Sequence, residues 1–319
     1  MLKRLMLLLA LATPVQASPD IWSREWPDTD FSQTTVTDWS EIRSGGPGKD
    51  GIPAIHDPRF APVDTVQDLD PREPVLSLAL EGETPRAYPI RYLMWHEIVN
   101  DRIGDMPVAV TFCPLCNSGK IFDRRVDGRL LSFGVTGKLR YSDMVMYDRE
   151  TQSWWQQAVG RGIVGEMTGA RLTDLAGVME SWEQYRDAHP DGLVMLSPGF
   201  ARDYGRNPYV NYDSAARPFL YDGDPPPHGI APLARVVAVG GRAWPLERVR
   251  AAGRIEEAGV RLSWEEGQAS ALDTGRIGQG REVGTVRVVD DAGMKLPYDV
   301  MFAFAFDAFF PDGQWMLGR

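Results

Sequence analysis

Short runs of alternating apolar and polar residues, each closed by Gly, Pro, Asn or Asp, dominate the chain and predict many brief strands. Residues 75–80 and 87–90 flank Glu81-Gly82-Glu83-Thr84-Pro85 and read as a hairpin. Residues 91–100 carry helical spacing, closed by the turn residues 101–104. The apolar run 107–112 reads as a strand entering Cys113-Pro114-Leu115-Cys116. Further strands are predicted at 120–124, 130–133, 144–147 and 153–156, with turns at Asp127-Gly128 and at 134–137. A second short helix covers 180–188 and stops before Pro190. Residues 300–310 form the most apolar run, which Asp307 interrupts; it is too short to span a bilayer and reads as a buried strand entering a helix.

The later part of the chain echoes the earlier part. Ala87-Tyr88-Pro89-Ile90 matches Ala243-Trp244-Pro245-Leu246, residues 108–112 match 258–262, and Phe122-Asp123 matches Leu272-Asp273. Phe133-Gly134 matches Val283-Gly284, and Asp143-Met144-Val145-Met146 matches Asp299-Val300-Met301-Phe302. Offsets of 156, 150 and again 156 residues fit a tandem copy with one small deletion and one insertion. On that matching Cys113 falls opposite Ser263 and Cys116 opposite Glu266, so the second copy lacks the thiols. The expected architecture is a β-rich α+β fold of two related sheet-containing lobes with a few short helices. Residues 18–60 are an extended lead-in, 61–197 the first lobe with the Cys-Pro-Leu-Cys site, 198–232 a long connection, and 233–319 the degenerate second lobe.

Composition adds an address and removes some partners. Lys3 and Arg4 precede an apolar run at 5–12 and a small-residue stretch ending at Ala17, the pattern of an export signal (1–17) cut after Ala17. The expected location is the periplasm or the extracellular space, with no membrane insertion. The chain carries 34 Lys+Arg against 44 Asp+Glu, a net charge of −10, which gives no electrostatic footprint for nucleic acid. Neither Gly45-Gly46-Pro47-Gly48 nor residues 134–139 complete a phosphate loop, so no nucleotide cofactor is expected. An unidentified small molecule or redox partner remains.

Chemistry concentrates around Cys113 and Cys116, the only cysteines. Two thiols at this spacing can close a disulfide, cycle as a redox pair or chelate a soft metal ion. Pro114 biases the bend, and Asn117-Ser118-Gly119 denies Cys113 the long helix that would acidify it. With no second cysteine pair, a metal needs other ligands. His96 shares a predicted helical stripe with Tyr92 and Asn100, and Glu97 beside it is a candidate base. Met144 and Met146 share one face of a predicted strand and, with thiolate and imidazole, would favour copper over zinc. Asp143 is a candidate acid/base group, and Asp143 or Asp148 could orient His96 from behind. Trp154 and Trp155 should face opposite sides of a strand, one in the core and one free to stack on a ligand. His56, His189 and His228 stand alone in loops.

Several motifs together, Asp50-Gly51-Ile52-Pro53-Ala54-Ile55, Trp95-His96-Glu97-Ile98-Val99-Asn100, Thr111 to Cys116, Ser142-Asp143 with Met146-Tyr147-Asp148-Arg149, and residues 202–209, resemble a prokaryotic family of exported proteins known as a domain of unknown function. The resemblance runs from about Gly51 to Asp312 and implies export and one integrated unit, but no reaction. Three functions are therefore expected. The first is a soft-metal protein, copper before zinc, held by Cys113, Cys116, His96, Met144 and Met146, with metalloenzyme activity through Glu97 and Asp143. The second is a thiol–disulfide oxidoreductase, and the third a non-catalytic binding or scaffold protein with a structural disulfide.

Overall fold

The computed structural model describes residues 19–318; the predicted export signal lies outside the described residues. The first half runs through strands β1 (Pro74–Leu78) and β2 (Arg86–Pro89), helix α1 (Ile90–His96), and strands β3 (Ile98–Ile103), β4 (Met106–Cys113) and β5 (Ser118–Asp123). A second sheet follows with β6 (Phe133–Arg140), β7 (Asp143–Asp148) and β8 (Trp154–Gln156), then β9 (Val178–Ser181), helix α2 (Trp182–Ala188) and β10 (Leu193–Met195). The later half contains β11 (Arg235–Val239), β12 (Arg242–Pro245), α3 (Leu246–Ala252), β13 (Arg254–Glu257), β14 (Val260–Glu265), β15 (Thr285–Asp290), β16 (Asp299–Phe302), α4 (Ala303–Phe309) and β17 (Gln314–Trp315). Strands outnumber helices throughout, as expected of a β-rich α+β protein.

The two halves follow one pairing plan. In the first, β9 lies antiparallel to β1, β1 antiparallel to β2, and β10 parallel to β2. In the second, β16, β11, β12 and β17 repeat those three relations. The meander β3–β4–β5 corresponds to β13–β14–β15, and each of the four α-helices among the described residues has seven residues. Arg86 and Ala87 pair with β10 as Arg242 and Ala243 pair with β17, so the 156-residue offset holds at the first match.

It fails further on. The Phe112 N–H donates to the Glu97 carbonyl as the Trp264 N–H donates to the Gly253 carbonyl, which makes Phe112 the counterpart of Trp264 and sets Cys113 opposite Glu265, not Ser263. The Phe122-Asp123 match to Leu272-Asp273 fails too, because β5 corresponds to β15. The match of Asp143–Met146 to Asp299–Phe302 is also overturned, since β16 is the counterpart of β9, and the β6–β7–β8 sheet has no counterpart among the described residues of the second half. Hairpins of unequal length shift the register where a constant offset cannot show it.

Two other expectations change. The helix predicted for 91–100 stops at His96, and Asn100 lies in β3. The expected turn at 134–137 is instead the interior of β6, where the pairing with β7 shifts register between Val135 and Lys138. Gly137 (φ +72) supplies the bulge, and a Cβ there would meet the Pro47 carbonyl oxygen at 1.9 Å. Residues 300–310 do form a strand entering a helix.

The principal core is shared by both halves, with Leu76, Leu93, Phe112 and Phe122 packed in one cluster with Val236, Phe302, Phe304 and Phe306. Fully burying one such side chain contributes roughly 1.5–3 kcal/mol. The lead-in covers the outer face of the inserted sheet: Trp22, Trp26 and Phe31 all pack on Trp154 at ring-centroid distances of 5.3–5.4 Å. Trp155 points the other way into the principal core. Both tryptophans are fully buried, so neither is free to stack on a ligand.

Candidate thiol–carboxylate site

Cys113 ends β4 and pairs with Ser118 at the start of β5, so residues 114–117 form a hairpin turn that brings both sulfurs to one end of the sheet. Asn117 takes the left-handed conformation (φ 51), which Asn tolerates better than most residues, and its N–H donates to the Pro114 carbonyl at 3.2 Å. The second half holds the turn from outside. Asn117 Nδ2 donates to the Val300 carbonyl at 2.6 Å, Ser118 Oγ to Asp299 Oδ2 at 2.5 Å, and the Gly119 N–H to Asp299 Oδ1 at 3.0 Å. The Phe302 N–H donates to the Cys116 carbonyl at 2.9 Å. Both cysteines are free thiols and buried, so no disulfide joins them.

A second hairpin delivers the carboxylate. Arg140 pairs with Asp143 across a two-residue turn in which Tyr141 (φ 49) and Ser142 (φ 64) are both left-handed. That is the requirement of a type I′ turn, normally met by Asn-Gly. The turn aims the Ser142 carbonyl at the sulfurs, 3.5 Å from Cys116 Sγ and 3.9 Å from Cys113 Sγ. One donor atom from each of Cys113, Cys116 and Asp143 lies within 4.8 Å of the others. Asp143 Oδ2 accepts from Gln156 Nε2 at 2.6 Å and from the Ala158 N–H at 3.0 Å, whereas Oδ1 is buried without a partner. The Ser142 hydroxyl is buried and unpaired as well.

Glu97 stands at the strained break after α1. Its φ of 59 and ψ of −33 lie outside the regions ordinary residues occupy, and its counterpart is Gly253, with φ 68 and ψ −39. Such a backbone costs a non-glycine residue on the order of 1–3 kcal/mol. The Glu97 carboxyl makes no hydrogen bond among the described residues and lines a cavity of about 280 Å³. Leu115, Met144, Tyr209, Tyr212 and Phe219 form much of the wall.

Electrostatics follow from burial. Burial raises both thiols, Cys116 the more strongly, and the nearby Asp143 adds to the shift. Burial pushes Asp143 up to about 6 against the pull of Gln156, the Ala158 N–H and the two thiols. Burial, then the Asp143 charge, pushes Glu97 up to about 8. Thus four acidic groups share one buried region, and among the described residues no ion pair joins any of them to a cation.

His96 is placed elsewhere. Its Nδ1 donates to the Pro53 carbonyl at 2.7 Å, its Nε2 accepts from the Tyr204 hydroxyl at 2.6 Å, and its ring lies 4.8 Å from Phe200. Both nitrogens are therefore engaged, and neither belongs to the thiol–carboxylate group. The helix ends one residue later, so the Tyr92–His96–Asn100 stripe never forms; Asn100 instead bonds the Phe133 backbone. Met144 and Met146 alternate with Asp143 along β7 and fill the principal core. Asp148 accepts from Trp155 Nε1 and Thr151, so neither aspartate backs His96. Sequence reading passed over Ser142, Tyr209 and Tyr212, which reach the site from a turn and from the long connection; only their presence in the resembled motifs marked the first two.

The model of a family described as a protein of unknown function (DUF3179) matches residues 49–313. The chain belongs to that family. Within the DUF3179 span lie both thiols, Glu97, Asp143 and the cavity wall from Ile52 to Phe219. No curated protein and no solved structure matches the chain, so the reading of this DUF3179 site rests on its own geometry. No helix among the described residues is long and apolar enough to cross a membrane.

Proposed function

We propose that this is an exported protein that holds a divalent transition-metal ion on Cys113, Cys116 and Asp143, with zinc ahead of copper. One observation carries the reading: two thiols and two carboxyls are buried together, and among the described residues no ion pair joins any of them to a cationic side chain. Ionised, such a group is strongly unfavourable in a low-dielectric interior unless a cation joins it. A carboxylate oxygen in place of imidazole or thioether moves the preference from copper toward zinc. Three protein donors with a fourth position left to another ligand is the pattern of catalytic zinc sites, and Glu97 is the carboxyl available to exchange a proton there. The basic leader at residues 3–4 and the apolar run behind it support export.

Metal content of untagged protein, measured by mass spectrometry after loading with zinc, tests this. About one equivalent per chain is expected, with Cys113→Ser and Asp143→Asn each lowering retention under chelator at least ten-fold. A metal-free chain that stays metal-free after reduction and loading overturns the reading.

A second reading, dithiol–disulfide exchange, is favoured by the closeness of the thiols, within 4.8 Å of each other, and by the carboxyl beside them. In that reaction an Sγ–Sγ bond forms, the S–S bond of an organic disulfide breaks, and its two sulfurs take up the electron pair and both thiol protons, one of them relayed through Asp143, to leave as two thiols. Raised thiol pKa values and burial oppose it, because the thiolate is the reactive form. Titration against a glutathione redox buffer distinguishes the two: loss of both thiols at a defined potential with no bound metal selects this one. The scaffold reading calls for a structural disulfide, and the free thiols lend it no support.

A further inference from the structure

We propose that the cavity beside the thiol–carboxylate group is a binding pocket for a small, mainly apolar molecule bearing one carbonyl oxygen, held by Tyr209 and Glu97. Its volume of about 280 Å³ equals the liquid share of about nine water molecules, below the range of drug-sized sites. Ile52, Leu115, Val135 and Met144 give it apolar walls, and Phe219 and Tyr212 close it from the long connection. The Tyr212 hydroxyl is already committed, donating to the Leu115 carbonyl at 3.0 Å and accepting from the Phe219 N–H at 3.2 Å. Lys138, also in the lining, is ion-paired with Glu25 at 2.8 Å. That leaves the Tyr209 hydroxyl and the Glu97 carboxyl, neither of which bonds to protein among the described residues.

The second half of the chain shows that Glu97 is not there for the fold. At the same break, with nearly the same φ and ψ, it has Gly253, the residue that takes this backbone without strain. A carboxyl retained against that strain, buried and without a protein partner, is what a site for an external polar atom looks like. The Tyr209 hydroxyl and the Glu97 carboxyl, kept protonated by its burial, are both O–H donors in a mainly apolar chamber and select an acceptor oxygen on a hydrocarbon frame.

The pocket adjoins the proposed metal site, but neither cysteine lines it, so it can be tested independently. Acetophenone and ethylbenzene, nearly isosteric, are titrated calorimetrically into the full chain, both as purified and after chelator treatment. Wild type is expected to bind the ketone at least ten-fold more tightly than the hydrocarbon in both preparations. Tyr209→Phe and Glu97→Gly should each bring the two affinities within about three-fold, with ethylbenzene still bound. Leu115→Trp should abolish both. Absence of millimolar binding by either probe, or a ketone preference that survives both Tyr209→Phe and Glu97→Gly, overturns the proposal. Failure of the metal reading leaves the wild-type preference in place.

Discussion

Glu97 concentrates the residue-scale argument, because the chain contains its own control. Gly253 occupies the same backbone geometry without a side chain, so Glu97→Gly should relieve strain. Against the entropy that glycine adds to the unfolded state, a net gain of about 1 kcal/mol is expected, read as a rise in the urea midpoint with unchanged slope. Ser142→Gly should act in the same direction by a similar amount, since it removes a left-handed non-glycine residue and a buried unpaired hydroxyl. Glu97 and Asp143 were legible as candidates, though for the wrong partner. His96 was misread because the helix was expected to continue to Asn100. A glycine at the break would have announced the stop, as it does at Gly253; a glutamate there reads as one more helical residue. The same break turns the chain so that His96 meets Tyr204 and Pro53, while Glu97 meets the cavity.

At the scale of elements, the site is the meeting of two hairpin ends, and their turn chemistry sets the geometry. The Cys-Pro-Leu-Cys turn was readable because strand pattern, Pro114 and Asn117 agree locally. The Tyr141-Ser142 turn was not, because neither residue is one that such turns normally use. Gly134 and Gly137 pointed to a turn by composition, yet Gly137 serves a bulge crossed closely by the lead-in at Pro47. Gly137→Ala meets both a positive φ and a backbone oxygen, so a loss of about 2–4 kcal/mol is expected in chemical denaturation. If the lead-in were loosely attached, that loss would shrink to the few tenths typical of a surface change.

Over the whole molecule, the repeated pairing plan locks one half against the other through Asp299. This carboxylate accepts from Ser118 and Gly119 in the turn next to Cys116. Burial raises it from 3.8 to about 7, against the pull of Lys120, Ser118 and the Gly119 N–H. The folded chain thus keeps a proton that the unfolded chain has released, and stability falls as pH rises from about 4 to about 7. Asp143 and Glu97 act in the same sense in metal-free protein. Asp299→Asn should flatten the profile, seen as a smaller difference between urea midpoints measured at about pH 5 and about pH 8. A slope identical to wild type would remove Asp299 from the account. The repeat of the pairing plan was visible at Ala87–Ile90 and Ala243–Leu246. Its register was not, because the turn 114–117 is replaced by a far longer loop, and the sheet bearing Asp143 is an insertion confined to the first half.

That the clamp on the cysteine turn arrives late in the chain has a consequence for biogenesis. Asn117 and the Val300 carbonyl that fixes it are 183 residues apart, which at about 5–20 residues per second is roughly 10–40 s of synthesis. During that interval the nascent dithiol has no lid from the other half, and any ion or oxidant that meets it reaches the sulfurs directly. What is sealed in when the last strand docks is then decided by the kinetics of assembly as well as by affinity.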